Sequence, residues 1–133
     1  MVNENGNNSQ VYPKGLEEKK EALVDDFVDT WYQYVPDSYD PSRKTPIVFS
    51  MHGGLMTGWG QAVYTSWTHI ADREGFICVF PNAQLRRFWT IECEEKLYEE
   101  LSAPNPEGIY MNPVPPIEEN HDALVVFALI EKL

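Results

Sequence analysis

Two short apolar runs, separated by a segment of helical periodicity, limit the fold of this chain more than any other feature. The runs cover residues 47–51 and 76–80, and each has the length of one buried strand. Between them, large apolar residues recur at intervals of four, three and one, which predicts a single helix over residues 61–74 that ends at Gly75. A strand, a helix and a strand within about 35 residues form a βαβ unit. The sequence therefore predicts an α/β fold in which two parallel strands are joined by a right-handed crossover.

The segments on either side extend this unit. Residues 16–24 are rich in Glu, Lys, Ala and Leu, which favours a helix. Residues 27–35 change to Val, Thr, Trp and Tyr, which favour a strand. The apolar stretch 123–130 suits a helix or a buried strand by its period, but Asn120 as an N-cap and Asp122 in the first turn favour a helix. We therefore expect a mostly parallel sheet with flanking helices.

Two other stretches have no sustained period. Residues 1–15 are polar and rich in Asn, which predicts a flexible N-terminus. Residues 82–119 combine aromatic, acidic and Pro-rich pieces, which predicts a long insertion with one short helix near residues 94–101. The folded domain is therefore predicted to cover residues 16–133, with the insertion inside it.

Charge and hydropathy argue against several classes of partner. The chain has 21 acidic and 10 basic residues, and its formal net charge of -11 repels a phosphate backbone. No Lys/Arg cluster offsets this charge, so nucleic acid is not an expected partner. No run approaches the ~20 apolar residues of a membrane span, and the start of the chain lacks the pattern of a signal peptide. As written, the chain is expected to be neither membrane-bound nor exported.

The cysteines and acidic clusters do not indicate a metal or a cofactor. Cys78 lies in an apolar run, so a buried thiol is favoured over a disulfide with Cys93. Residues 92–95 contain three glutamates and a cysteine, but adjacent residues on a helix point in different directions and no ligand spacing recurs. A solvated acidic face is the favoured interpretation of this cluster.

The most specific feature is the loop that follows the first apolar run, with the sequence SMHGGL over residues 50–55. Adjacent glycines let the backbone turn tightly and present N–H groups to an oxyanion. The same residues are equally compatible with an ordinary turn between a strand and a helix, since short glycine motifs are common. The neighbouring sequence distinguishes the two interpretations.

Four motifs, one of which includes most of this loop, occur in a characteristic order and spacing. They are YVP with YDP over residues 34–41, PIVFSMHGG over residues 46–54, ADREGF over residues 71–76, and VFPN over residues 79–82. In this combination the chain resembles the polyhydroxybutyrate depolymerase and feruloyl esterase-like branch of the α/β-hydrolases. The resemblance covers residues 28–83 and resumes at residues 120–133, which resemble the helix that leads into the nucleophile strand.

The resemblance implies roles for individual residues. The backbone N–H of Gly54, or alternatively that of Leu55, would donate to the oxyanion, and His52 would shape the loop without acting as a base. Independently of the resemblance, three aromatic residues beside the loop could line a substrate pocket, but aromatic residues at helical spacing more often belong to the core, which is the favoured interpretation: Trp59, Tyr64 and Trp67.

The catalytic serine expected of this fold is missing from the sequence. Acyl transfer requires a serine on a Gly-x-Ser-x-Gly elbow, followed by an acid and a histidine, and no such elbow occurs. His69 and His121 precede the position of a catalytic histidine and are expected on a helix face or at a helix cap. The first hypothesis is therefore the N-terminal portion of a serine esterase, ending before the nucleophile and inactive alone.

Two further hypotheses remain open. The chain could be a non-catalytic acidic interaction module that uses an apolar sheet edge to bind a partner strand. It could instead pair with a separate C-terminal chain to rebuild an esterase that acts on small or polymeric esters. Esterase activity that appears only when the two chains are mixed would favour the split esterase over the interaction module.

Overall fold

The computed structural model describes residues 14–83, Trp89 and residues 117–133. Its strands are β1 (Leu16–Glu21), β2 (Asp29–Tyr34), β3 (Ile47–Phe49) and β4 (Ile77–Pro81). Its α-helices are α1 (Gly58–Tyr64), α2 (Trp67–Glu74) and α3 (His121–Lys132), and a 3-10 helix over Ile117–Glu119 precedes α3. The predicted helix near residues 94–101, Cys93 and most of the two aperiodic stretches lie outside the described residues.

The described strands form one mixed sheet in the order β1-β2-β4-β3. Strands β3 and β4 are parallel, as the βαβ pattern predicts, and Val48 pairs with Cys78 at the centre of this ladder. The prediction of a mostly parallel sheet was wrong, because β2 is antiparallel to both of its neighbours. β1 and β2 are neighbours in the sheet and are joined by a short connection. A short connection can join two adjacent strands only if they are antiparallel, so β2 runs opposite to β1.

Residues 16–21 form a strand, so the predicted helix over residues 16–24 was wrong. All six residues of β1 pair with β2, and Leu16 packs into the core while most of the charged side chains face water. Helix propensity is a weak preference that the paired backbone overrides here. The five charged residues of β1 also suit an exposed edge strand, because charges there oppose pairing with other chains.

The segment over residues 61–74 forms two helices, so the prediction of one continuous helix was wrong. α1 ends at Thr65, whose backbone is extended and whose hydroxyl donates to the Gln61 carbonyl at 2.8 Å. Thr65 and Ser66 have side chains that compete with helical hydrogen bonding, which explains the break. α2 then ends at Gly75, whose φ of 76° is the left-handed conformation of a helix C-cap. The predicted stop at Gly75 is confirmed.

Two apolar clusters cover the two faces of the sheet. Because alternate residues of a strand face opposite sides, Tyr32 and Phe80 face α1 and α2, whereas Trp31 and Val79 face α3. Helix α3 confirms the predicted helix, and the side chain of Asn120 accepts a hydrogen bond from the Ala123 N–H as its cap. The described residues therefore form an α/β arrangement with helices on both faces of the sheet.

Two further observations bear on the chemistry of the chain. Cys78 is a free and fully buried thiol, as predicted, and burial raises its pKa to about 12. In the described part of the chain, no helix has the length and apolar character that crossing a bilayer requires.

Candidate oxyanion loop

The candidate site lies where β3 and β4 end. Because these strands are parallel, their carboxyl ends lie at the same edge of the sheet, where α/β proteins bind ligands. Residues 50–57 leave β3 at this edge and lead into α1. The end of β4, with Asn82 and Ala83, lies beside them, because Ala83 and Asn82 both hydrogen-bond to this region. We refer to residues 50–57 as the candidate oxyanion loop.

His52 connects the candidate oxyanion loop to the end of β4. Its side chain is buried, and Nε2 accepts a hydrogen bond from the Ala83 N–H at 3.0 Å. An acceptor nitrogen carries no proton, so Nδ1 carries it and donates to the Gly53 carbonyl at 2.7 Å. Both ring nitrogens of a neutral imidazole are thereby engaged. In this arrangement His52 holds the backbone of the loop and has no nitrogen available to remove a proton from a nucleophile.

Trp89 adds a contact that the sequence did not indicate. Its indole N–H donates to the His52 carbonyl at 2.8 Å, and the two rings lie with centroids 4.8 Å apart. Trp89, which belongs to the predicted insertion over residues 82–119, therefore contacts His52 through both its indole N–H and its ring. No spacing or motif in the sequence singles out this tryptophan.

The tip of the loop is a tight turn with exposed backbone. The Met56 N–H donates to the Gly53 carbonyl at 3.1 Å and closes a four-residue turn. Leu55 has a φ of 64°, which is uncommon for a non-glycine residue, and its side chain is 66% exposed. Among the described residues, neither the Gly54 N–H nor the Leu55 N–H has a hydrogen-bond acceptor. The turn therefore leaves two adjacent backbone donors without an acceptor among the described residues, at residues that are both exposed.

The far end of the loop is fixed where α1 begins. The hydroxyl of Thr57 caps the helix by accepting from the Gly60 N–H at 3.1 Å. The Gly58 N–H donates to Oδ1 of Asn82 at 2.6 Å, while the Asn82 N–H donates to the Thr30 carbonyl of β2 at 3.0 Å. Asn82 thus connects the start of α1 to the centre of the sheet. Its position after the VFP run was part of the family resemblance, but its contact with Gly58 was not predicted.

Ser50 does not provide a nucleophile at this site. It is buried, and its hydroxyl accepts a hydrogen bond from the Gln61 side chain at 3.0 Å. None of the described serines, at positions 38, 42, 50 and 66, has a histidine as a hydrogen-bond partner. In the same part of the chain, no group of three or more His, Cys, Asp or Glu side chains is arranged to hold a metal ion.

The three aromatic residues proposed for a substrate pocket occupy different environments. Trp59 is 2% exposed and belongs to the core on the α1 side of the sheet. Trp67 is half-buried against the same core and contacts Phe76 edge to face. Tyr64 is 83% exposed. The core interpretation accounts for both tryptophans, and the described residues do not bring the three side chains together.

Replacing His52 by alanine is expected to lower the free energy of unfolding by about 2 to 4 kcal/mol. The buried Ala83 N–H would lose its acceptor, which costs about 1 to 3 kcal/mol, and the missing ring would leave a cavity. Urea unfolding followed by tryptophan fluorescence measures this change. His69→Ala is the matched control, because His69 lies exposed on α2 and its loss should change stability by less than about 0.5 kcal/mol. Equal losses in the two variants would contradict the anchoring role of His52.

Comparisons with known proteins give one partial similarity. The chain is 34% identical over 56 residues to dipeptidyl-peptidase 5 from two strains of Aspergillus fumigatus. The matched stretch is 41% of this chain but only 8% of that protein. No family model matches the chain, and no solved structure matches it.

Proposed function

We propose that this chain supplies the oxyanion-hole loop of a serine acyl hydrolase of the polyhydroxybutyrate depolymerase-like class. The observation that carries the proposal is the exposed turn at Gly54 and Leu55, whose two N–H groups have no acceptor among the described residues while His52 holds the loop in place. When a serine attacks an ester carbonyl, negative charge develops on the carbonyl oxygen. Fixed backbone donors about 2.7 to 3.1 Å from that oxygen stabilise the charge without reorganising.

The position of the loop supports this role. In α/β-hydrolases one oxyanion donor comes from the loop between the third strand and the first helix, and the other comes from the residue after the serine. Residues 50–57 connect β3 to α1 in the described structure. The donor from this chain is then the N–H of Gly54 or Leu55. The second donor would come with the serine itself.

The open edge of β3 indicates how the serine would reach the loop. β3 is the last strand at its end of the described sheet and pairs only with β4. A strand added parallel to β3 would place its carboxyl end beside the candidate oxyanion loop, since parallel strands end at the same edge. A serine on a turn after that strand would lie next to Gly54. We propose that a further segment of the protein or a separate chain provides this strand.

The bond that is cleaved follows from the resemblance and not from the loop. An ester and a peptide bond both pass through a tetrahedral oxyanion, so the same donors serve either reaction. The partial similarity to a dipeptidyl-peptidase supports acyl transfer in general. The motifs of residues 34–54 favour an ester, and we propose carboxylic esters as the substrates.

The test is complementation. The 133-residue chain is mixed with a polypeptide that carries a Gly-x-Ser-x-Gly elbow and the later acid and histidine, taken from the sequence downstream in the source DNA. We expect no hydrolysis of p-nitrophenyl butyrate by this chain, and hydrolysis after mixing. A serine-to-alanine variant of the added polypeptide is the control and should abolish the activity. A folded complex that hydrolyses neither esters nor dipeptide amides would contradict the proposal.

A second candidate is a binding module without catalysis. In the described structure the edge of β3 is unpaired, and helix α3 exposes half or more of Phe127 and Ile130, which lie three residues apart and so on one side of the helix. A net charge of -11 would restrict the partners to neutral or basic proteins. Tight binding of a partner strand by a soluble, monodisperse chain, with no activity in any mixture, would favour this candidate.

A further inference from the structure

His121 lies between two carboxylates at the start of α3. Its Nε2 is 2.7 Å from Oδ1 of Asp29, and its Nδ1 is 3.0 Å from Oδ2 of Asp25. Two carboxylates accept hydrogen bonds from both nitrogens only when the imidazole is protonated. The rings of His121 and Phe27 pack edge to face, with their centroids 5.7 Å apart. The charged imidazolium is thus held on three sides by residues near the turn between β1 and β2.

Both carboxylates also accept hydrogen bonds from the connection between β1 and β2. Oδ1 of Asp25 accepts a hydrogen bond from the Phe27 N–H at 2.7 Å, so Asp25 belongs to its own local turn. Asp29 is only 5% exposed, and its Oδ2 accepts from the Leu23 N–H at 3.4 Å. The connection between β1 and β2 therefore forms a fixed acidic socket. A cation at the first residue of a helix opposes the helix dipole, so His121 depends on this socket for its charge.

We propose that His121 is a pH-sensitive clamp that fastens the start of α3 to the hairpin of β1 and β2 in its protonated state and releases it on deprotonation. α3 packs through Val125 and Leu129 on the sheet face that contains Trp31 and Val79. An ion pair between Lys132 and Glu21, with N–O distance 2.8 Å, connects the other end of α3 to β1. That pair is exposed and contributes little, whereas His121 is 12% exposed, so the contact at His121 is the stronger of the two ion-pair contacts that α3 makes with the hairpin in the described structure.

The charges around His121 give the direction of the pH dependence. Burial alone lowers the pKa of His121, but the hydrogen bond to Asp29 and the charges of Asp29 and Asp25 outweigh it, so the pKa is raised above 6.5. Asp122 and Glu119 are its acidic neighbours along the chain. No described lysine or arginine forms an ion pair with Asp25 or Asp29. A raised pKa in the folded state means that the clamp is complete below the pKa of an unfolded histidine and is lost as pH rises through the folded value.

Hydrogen exchange of the first turn of α3 tests the clamp. The amides of Ala123 and Leu124, which bond to Asn120, are followed by NMR from about pH 6 to about pH 9 as protection factors, which remove the intrinsic pH dependence of exchange. We expect their protection to fall with rising pH, up to tenfold for each pKa unit by which His121 exceeds an unfolded histidine. The Gly75 amide at the end of α2 serves as the internal reference and should keep its protection.

Variants decide whether His121 causes the effect. H121Q should remove the pH dependence, and D25N, at an exposed residue, should shift it to lower pH without unfolding the chain. H69Q at an exposed helix position should leave the profile of the natural chain unchanged. If H121Q does not fold, D25N carries the test. Flat protection of Ala123 and Leu124 over this pH range, or a D25N profile identical to that of the natural chain, would overturn the proposal.

Discussion

Replacing Gly58 by alanine is expected to lower the free energy of unfolding by about 3 kcal/mol or more. A Cβ atom at Gly58 would lie 2.0 Å from the carbonyl oxygen of Phe80 and 2.8 Å from its carbonyl carbon. Both are backbone atoms of β4, which is paired on one side with β2 and on the other with β3, so they cannot move aside without breaking these pairings. α1 would have to shift instead, and the hydrogen bond from Gly58 to Asn82 would be lost.

Urea unfolding followed by far-UV circular dichroism measures the effect, with soluble yield recorded in case the variant does not fold. Gly53→Ala is the matched control. Gly53 is exposed, and a Cβ there would meet only Sδ of Met56 at 3.4 Å, an ordinary contact with a flexible side chain. The control should change stability by less than about 0.5 kcal/mol. If G58A unfolds at the same urea concentration as G53A, α1 does not rest on β4 in the way described.

The parts of the fold that depend on local pattern could be predicted from the sequence. The runs that became β3 and β4, the stop at Gly75 and the cap at Asn120 each follow from a few adjacent residues. The strand order and the reversal of β2 depend on pairings between distant residues, which no local pattern encodes. β1 could not be predicted for the same reason. Its Glu and Lys residues favour a helix, but hydrogen bonding to the backbone of β2 makes the segment a strand.

The candidate site divides in the same way. His52, Gly54 and Leu55 could be predicted as site residues, because they are close together in the chain and lie in or directly after the motif on which the resemblance rests. The contacts that hold the loop come from elsewhere: Ala83 lies 31 residues and Trp89 lies 37 residues from His52 along the sequence. The need for glycine at position 58 became visible only when β4 was placed against α1. Motifs therefore predicted the candidate donors, and the packing of distant segments identified the contacts that hold their loop.

In the complemented enzyme proposed above, replacing Gly54 by proline is expected to lower kcat by a factor of about 100 to 1,000, as the loss of one oxyanion donor does in characterised acyl hydrolases. Proline has no N–H, so this change removes the proposed donor itself. Gly54 is the second residue of the turn closed by Gly53 and Met56, where the fixed φ of proline is favoured, so the turn should survive. KM should change little, because the donor acts mainly on charge that develops in the transition state.

Gly54→Ala is the matched control, because alanine keeps the N–H and adds a single methyl group at an exposed position. Its kcat should stay within a few-fold of the parent, and circular dichroism should show that both variants fold. Leu55 cannot be tested by the same substitution, since its φ of 64° is inaccessible to proline. A G54P enzyme with an unchanged kcat would therefore exclude Gly54 as the donor and leave the Leu55 N–H as the group of this turn that can face the oxyanion. A loss of kcat in G54P but not in G54A would assign the donor to the Gly54 N–H, because the missing hydrogen is then the difference that matters at an otherwise intact turn.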